Sequence, residues 1–95
     1  MKKWYNFTAY IEYETLHFRT TNDDPAAALT FFQKELDLKN PIMDKKHFFD
    51  GDNVKSYHAS YEVDGLSYKP QFVIERHVEL EIDGEFFSLN RSGYD

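Results

Sequence analysis

The sequence predicts an α+β domain in which a single helix packs on one face of an antiparallel sheet, with the element order ββαββββ. Three observations predict this fold: apolar and polar residues alternate over residues 4–13, a helix start is marked at Asp24, and Asp-Gly pairs occupy positions 64–65 and 83–84. The chain of 95 residues is expected to form one domain over residues 1–95.

The first two strands are predicted at residues 4–13 and 16–21, joined by a tight turn. A period of two is typical of a strand with one buried face and one exposed face. In the first strand this alternation places Trp4 and Tyr10 on the outer face, and in the second it places Arg19 there. The two strands therefore contribute aromatic and charged side chains to the same exposed surface.

A helix is predicted over residues 25–37. Asp24 can accept hydrogen bonds from the free backbone donors at the start of the helix, and Pro25 suits the first helical position because no N–H is needed there. One apolar stripe at spacings of three and four then faces the sheet, formed by Ala28, Leu29, Phe32 and Leu36. The Asn40-Pro41 pair is expected to end the helix, since the residue before a proline avoids helical geometry.

Residues 41–53 read as a long loop that a few apolar side chains fix to the core. Charged and turn-forming residues dominate this segment, and unstructured loops of about 12 residues or more are often functional. The loop is therefore one candidate for a ligand site.

Two hairpins are predicted in the last third of the chain, because a type I′ turn needs positive φ at both central positions and Asp-Gly provides it. The turn at 64–65 would set Tyr61 opposite Tyr68, and Pro70 would break the sheet before a long strand over residues 71–82. The turn at 83–84 would set Leu80 opposite Phe87.

Three side chains of this region carry further expectations. Phe87 is expected in the core and Phe86 outside it, because they alternate. Arg76 is in line with the apolar face, and we expect it to reach solvent at the sheet margin or to mark a bulge.

Composition excludes several function classes. Seventeen acidic against eleven basic residues give a net charge of −6, which argues against a nucleic-acid partner because such affinity comes mainly from clustered Lys and Arg. The absence of cysteine removes disulfides and thiolate zinc sites, and it favours a reducing cytoplasmic location. No apolar run approaches the roughly 20 residues that span a bilayer, so no membrane association is expected.

One helix covers one face of a sheet, so the opposite face is the expected place for function. Aromatic residues are enriched at protein interfaces, and alternation places both aromatic and acidic side chains on this face. The predicted action is therefore protein–protein association, either as a homodimer or as a modulator of a partner protein. The predicted interface residues are Trp4, Tyr10, Arg19, Glu75, His77, Glu79, Glu81 and Phe86.

Two alternative functions compete with this one. Three outward histidines, His17, His58 and His77, would form a metal or small-ligand site if the strand order brought them together. The 41–53 loop is a second candidate for such a site. Alternatively, Glu62 with the other outward acids would mimic a run of phosphates and inhibit a basic protein.

Catalytic chemistry is not expected. The chain has no phosphate-binding glycine loop and no Gly-x-Ser-x-Gly elbow, and it predicts no cofactor.

Overall fold

The computed structural model describes residues 1–89, with residues 45–49 described by their backbone only. Its elements are β1 (Lys2–Ile11), β2 (Glu14–Thr20), α1 (Pro25–Leu36), β3 (Lys39–Asp50), β4 (Val54–Glu62), β5 (Gln71–Ile82) and β6 (Glu85–Ser88). The predicted fold class is confirmed, because within residues 1–89 one helix and six antiparallel strands occur in the order ββαββββ.

Strand β5 organises the sheet. The strand order is β2-β1-β5-β4-β3, and β6 also pairs with β5. One side of β5 pairs with β1, whereas the other side pairs first with β4 and then, from Glu79 onwards, with β6. Strand β5, which carries most of the outward acids, therefore has β4 beside its first part and β6 beside its last part.

Helix α1 begins as the sequence predicts. The Asp24 carboxylate accepts a hydrogen bond from the Ala26 N–H at 2.9 Å, and Pro25 occupies the first helical turn. The helix ends at Leu36, earlier than the predicted Asn40-Pro41 stop, because Asp37 takes the left-handed conformation (φ 51°) and closes the last turn.

The core lies between α1 and one face of the sheet, which we call the helix face. Phe32 of α1 and Phe7 of β1 are both fully buried in this core. At the β2 margin the ring of Phe31 stacks on Phe18 with centroids 4.4 Å apart. The predicted inward alternation of the first strand is confirmed by the burial of Phe7, Ala9 and Ile11.

The prediction of a loop over 41–53 is wrong, because residues Lys39–Asp50 form β3 at one edge of the sheet. The pairing of β3 with β4 contains three register shifts, and Asn40 has a positive φ of 46°. Such irregular pairing abolishes a strict period of two, and Pro41 is tolerated because an edge strand has one unpaired side.

The predicted hairpin at 64–65 is also wrong, although a turn forms there. Leu66 N–H donates to the Val63 carbonyl at 3.2 Å, and Gly65 has φ +80°. Residues 66–69 form no strand, and Tyr61 N–H donates to the carbonyl of Pro70 instead of pairing with Tyr68. Since β3 and β5 already flank β4, the segment after the turn has no free strand edge to join.

The hairpin at 83–84 is confirmed. Asp83 and Gly84 have φ values of 52° and 80°, and Leu80 pairs with Phe87. The expectation that Phe87 belongs to the core is wrong, since its side chain is 46% exposed. Helix α1 packs on β1, β2 and β3, so β6 extends past the region that the helix covers.

Arg76 does not reach solvent, and that prediction is wrong as well. The residue is only 7% exposed, and its guanidinium lies 5.2 Å from the centre of the Tyr5 ring. One terminal nitrogen donates to the Asp52 carbonyl at 3.4 Å, while Nε has no hydrogen-bond partner within the described part of the chain. A ring face and a carbonyl thus replace water around this cation.

Candidate functional site

The sheet face opposite α1, which we call the open face, carries all eight predicted interface residues. Backbone register fixes their positions: Trp4 is opposite Glu79, Asn6 is opposite both Arg19 and His77, and Glu81 is opposite Phe86. Side chains that are directly opposite on neighbouring strands share a face, so residues distant in sequence become neighbours here.

Five residues at one end of the open face form a connected group, the aromatic–acidic cluster: Trp4, Arg19, Glu79, Glu81 and Phe86. Arg19 Nε donates to Glu79 Oε1 at 2.8 Å, and Arg19 Nη2 donates to Glu79 Oε2 at 3.3 Å. The guanidinium carbon lies 4.0 Å from the Phe86 ring centre. A two-pronged ion pair stacked on an aromatic ring fixes the arginine in one orientation.

Trp4 closes the same cluster from the β1 side. Its indole Nε1 donates to Glu81 Oε1 at 2.7 Å, and its ring meets Phe86 edge to face with centroids 5.9 Å apart. The Lys2 ammonium lies 4.6 Å from the Trp4 ring centre. Each large side chain of the cluster is therefore held by at least two contacts within the chain.

Glu79 is the most buried member of the cluster, with 9% of its surface exposed. A carboxylate at this depth needs a paired cation and hydrogen-bond donors, and Arg19 supplies both. The cluster thus has a buried ionic centre and a rim of partly exposed aromatic rings.

The remaining predicted residues lie further along the face, around Glu75. The His77 Nε2 atom is 3.4 Å from Glu75 Oε1. Partial burial raises the pKa of the Tyr10 hydroxyl, and its hydrogen bond to Glu75 raises that pKa further. Between Glu75 and β2 the small side chain of Thr8 is buried and meets His17 Nδ1 at 2.9 Å.

The eight predicted interface residues thus form two separate groups on the open face. Trp4 and Tyr10 are six residues apart on β1, which corresponds to about 20 Å along an extended strand. The sequence correctly places both aromatics on the open face, and only Trp4 belongs to the aromatic–acidic cluster.

The three outward histidines do not meet. His17 and His77 are separated by β1, which places their backbones about 10 Å apart across the sheet. His58 is opposite Val73, four residues from His77, or about 13 Å along β5. Among the described residues, no three His, Asp or Glu side chains are grouped closely enough to hold a metal ion.

The outward acids each have a donor nearby. Glu79 pairs with Arg19 and Glu81 accepts from Trp4, whereas Glu62 accepts from Asn40 Nδ2 at 3.0 Å and lies 3.8 Å from the Lys69 ammonium. Glu79 and Glu62 are offset by the cations of Arg19 and Lys69, so the charge left on this face is smaller than that of a run of phosphates, and phosphate mimicry is not favoured.

Ile42 and Asn6 are two of the open-face residues that sequence reasoning missed. Ile42 is exposed at the β3 margin, and no signal could reveal it once β3 was interpreted as a loop. Asn6 lies between Arg19 and His77, and its buried Oδ1 has no partner among the described residues. The alternation over 4–13 places Asn6 on this face and was sufficient to include it.

No protein-family model, curated protein or solved structure matches this chain. In the part of the chain that the structure describes, no helix is both long and apolar enough to cross a membrane. The geometry of the open face is therefore the basis for inferring what the protein does.

Proposed function

We propose that this protein acts by non-covalent association and binds a partner protein through the open face, with the aromatic–acidic cluster at the centre of contact. The observation that carries this proposal is the arrangement of Trp4, Arg19 and Phe86 around the buried Glu79 on a face that α1 does not cover.

The chemistry of the cluster suits a binding centre. Tryptophan and arginine are enriched among the residues that dominate binding energy, and they act best where a rim excludes water. Because Arg19 and Trp4 are already held by Glu79 and Glu81, less side-chain entropy is lost on association.

The charge of the face favours a partner with basic and donor groups. After Arg19 is paired with Glu79, the carboxylates of Glu75 and Glu81 remain on a chain whose net charge is −6. Apposition of two copies of this face would bring these acids together, which is unfavourable. A second copy bound face to face is therefore the weaker form of the proposal.

Site-specific photocrosslinking tests the proposal. A benzophenone side chain replaces Phe86 in the full chain, expressed in its native host, and a matched variant carries it at Thr30 on the exposed side of α1. We expect one discrete adduct from position 86 and none from position 30. Mass spectrometry of the adduct then identifies the partner, and the purified pair provides a direct affinity.

The affinity measurement decides the outcome. We expect Trp4→Ala to weaken binding of the purified partner by at least about tenfold, as for other central aromatic residues, while Thr30→Ala leaves it unchanged. An adduct of two identical chains assigns the face to self-association. Equal affinities for Trp4→Ala and the parent protein, or no adduct from position 86, contradict the proposal.

A further inference from the structure

We propose that a second copy of this chain pairs antiparallel along β2, about a two-fold axis at His17, so that one sheet continues across both chains. This contact uses an edge of the sheet, so it is separate from the partner binding proposed for the open face. It depends on three observations: the contrast between the two edges, the self-complementary register of β2 and the half-buried apolar residues beside it.

The two outer strands differ in how they are protected against pairing. Natural edge strands avoid association through bulges, proline and lysine. Strand β3 has all three, with register shifts, Pro41, Lys39 and two further lysines in its sequence. Strand β2 pairs with β1 without a shift over all seven of its residues and contains neither proline nor lysine.

Within the described residues β2 pairs only with β1, so its outer side presents free N–H and C=O groups. A two-fold axis at His17 sets every residue of β2 opposite another residue of β2 on the same face of the sheet. The resulting pairs are Glu14 with Thr20, Thr15 with Arg19, Leu16 with Phe18, and His17 with itself. No two formally like charges are opposite each other at neutral pH, and Glu14 and Arg19 balance.

The neighbouring registers are poorer. A shift of two residues in either direction pairs about five residues of each strand instead of seven. One of these shifts sets Glu14 opposite Phe18, and the other leaves Leu16 opposite Thr20. The register centred on His17 is the one that combines full length with an apolar pair.

Apolar surface at this edge supplies a driving force. Leu16 and Phe18 are only half-buried in the single chain, although they face α1, and Phe18 is already stacked on Phe31. Pairing sets Leu16 of each chain beside Phe18 of the other, which removes further apolar area from water. The open faces of both chains then form one continuous surface with two aromatic–acidic clusters.

Sedimentation velocity of the full chain from about 5 to about 200 µM tests the inference, since micromolar constants fall in this range. We expect a shift from 11.3 kDa to twice that mass. His17→Lys brings two ammonium groups opposite each other and should weaken self-association at least about fivefold. Gln71→Lys, an equal change of charge on the open face away from β2, should leave it unchanged.

Charge exchange at position 17 provides the decisive step. His17→Glu should also weaken the dimer, and an equimolar mixture of His17→Lys and His17→Glu should restore a heterodimer, because only a two-fold at this residue sets the two side chains opposite each other. The restored heterodimer shows in addition that both variants are folded.

Three results overturn the inference: a parent protein that stays monomeric at the highest concentration, a dimer insensitive to His17→Lys, and a failure of the mixture to form a heterodimer. A dimer broken by Phe86→Ala and not by His17→Lys assigns the second copy to the open face. Crosslinking of a different protein from position 86 is independent of all three results, so the two proposals fail separately.

Discussion

The two faces of the sheet exclude water by different means. On the helix face, α1 covers apolar residues, and Phe7 and Phe32 are completely buried. On the open face none of the elements in residues 1–89 covers the sheet, yet Glu79 and Thr8 are nearly inaccessible because neighbouring side chains surround them. The same strands, read at alternate residues, thus encode an apolar core and a polar surface ordered by hydrogen bonds and aromatic rings.

The largest expected effect tests this contrast directly. Phe32→Ala removes a fully buried ring and should lower the free energy of unfolding by about 3–5 kcal/mol. Phe86→Ala removes the same atoms from the open face, where the ring is 40% exposed, and should cost only about 0.5–1 kcal/mol. Urea denaturation monitored by far-ultraviolet circular dichroism measures both values.

Equal losses for the two phenylalanines would mean that the open face is as tightly packed as the core. The proposed binding role would then lose its main support, because side chains already packed so tightly within the monomer would leave little surface for a partner to contact. Partner affinity gives the complementary readout, since Phe86→Ala should reduce it far more than its small effect on folding.

A second prediction concerns the ion pair between the exposed Arg19 and the nearly buried Glu79 on the open face. Glu79→Gln leaves Arg19 without its carboxylate and should cost about 1–2 kcal/mol, less than for a fully buried pair because water reaches the arginine. Asp64→Asn breaks the exposed pair with Lys39, and we expect no measurable loss of stability there.

A double-mutant cycle isolates the contact itself. Arg19→Met is combined with Glu79→Gln, and the coupling between them is read from urea denaturation of the four proteins. A coupling near zero would show that the geometry of the pair contributes nothing to folding, and that Glu79 is tolerated only by local hydration.

Of the three Asp-Gly pairs in the chain, the two that were predicted to form hairpins, at 64–65 and 83–84, show how far sequence determines this fold. Both adopt a left-handed glycine, with φ +80° at Gly65 and Gly84. Only the second joins two strands, because β5 has a free stretch beside β4 that β6 can occupy, whereas β4 has strands on both sides. Turn chemistry is local, but whether a strand follows depends on which edges the rest of the sheet leaves open.

The candidate site was likewise predictable only in its local features. The placement of Trp4 and Arg19 on the open face could be predicted, because it follows from the period of two alone. Their contacts with Glu79, Glu81 and Phe86 depend on β5 lying beside β1 and on β6 lying beyond β4, which is non-local information. Irregular pairing concealed β3 for a related reason, because bulges remove the period from which a strand is recognised.

The smallest expected effect at neutral pH concerns a polar atom on the helix face. Tyr57 is 5% exposed and lines a cleft of about 440 Å³ beside the start of α1. Burial raises the pKa of its hydroxyl above the ordinary value of 10.0, against the opposing influence of the nearby Arg76. The neutral phenol of Tyr57 is therefore favoured over the phenolate on the helix face.

The sign of the pH dependence follows from this raised pKa. A folded state that holds the proton more tightly than the unfolded chain gains stability that is fully present below pH 10, and this stability is lost as pH rises from 10 through the folded pKa. We expect the difference in unfolding free energy between the parent protein and Tyr57→Phe to fall as pH rises from about 9 to about 11. Tyr13→Phe, which removes a hydroxyl from a fully exposed ring, provides the matched control. A difference between the parent protein and Tyr57→Phe that stays constant over this range would show that water reaches the Tyr57 hydroxyl through the cleft, and the helix face would then be less dry than its burial indicates.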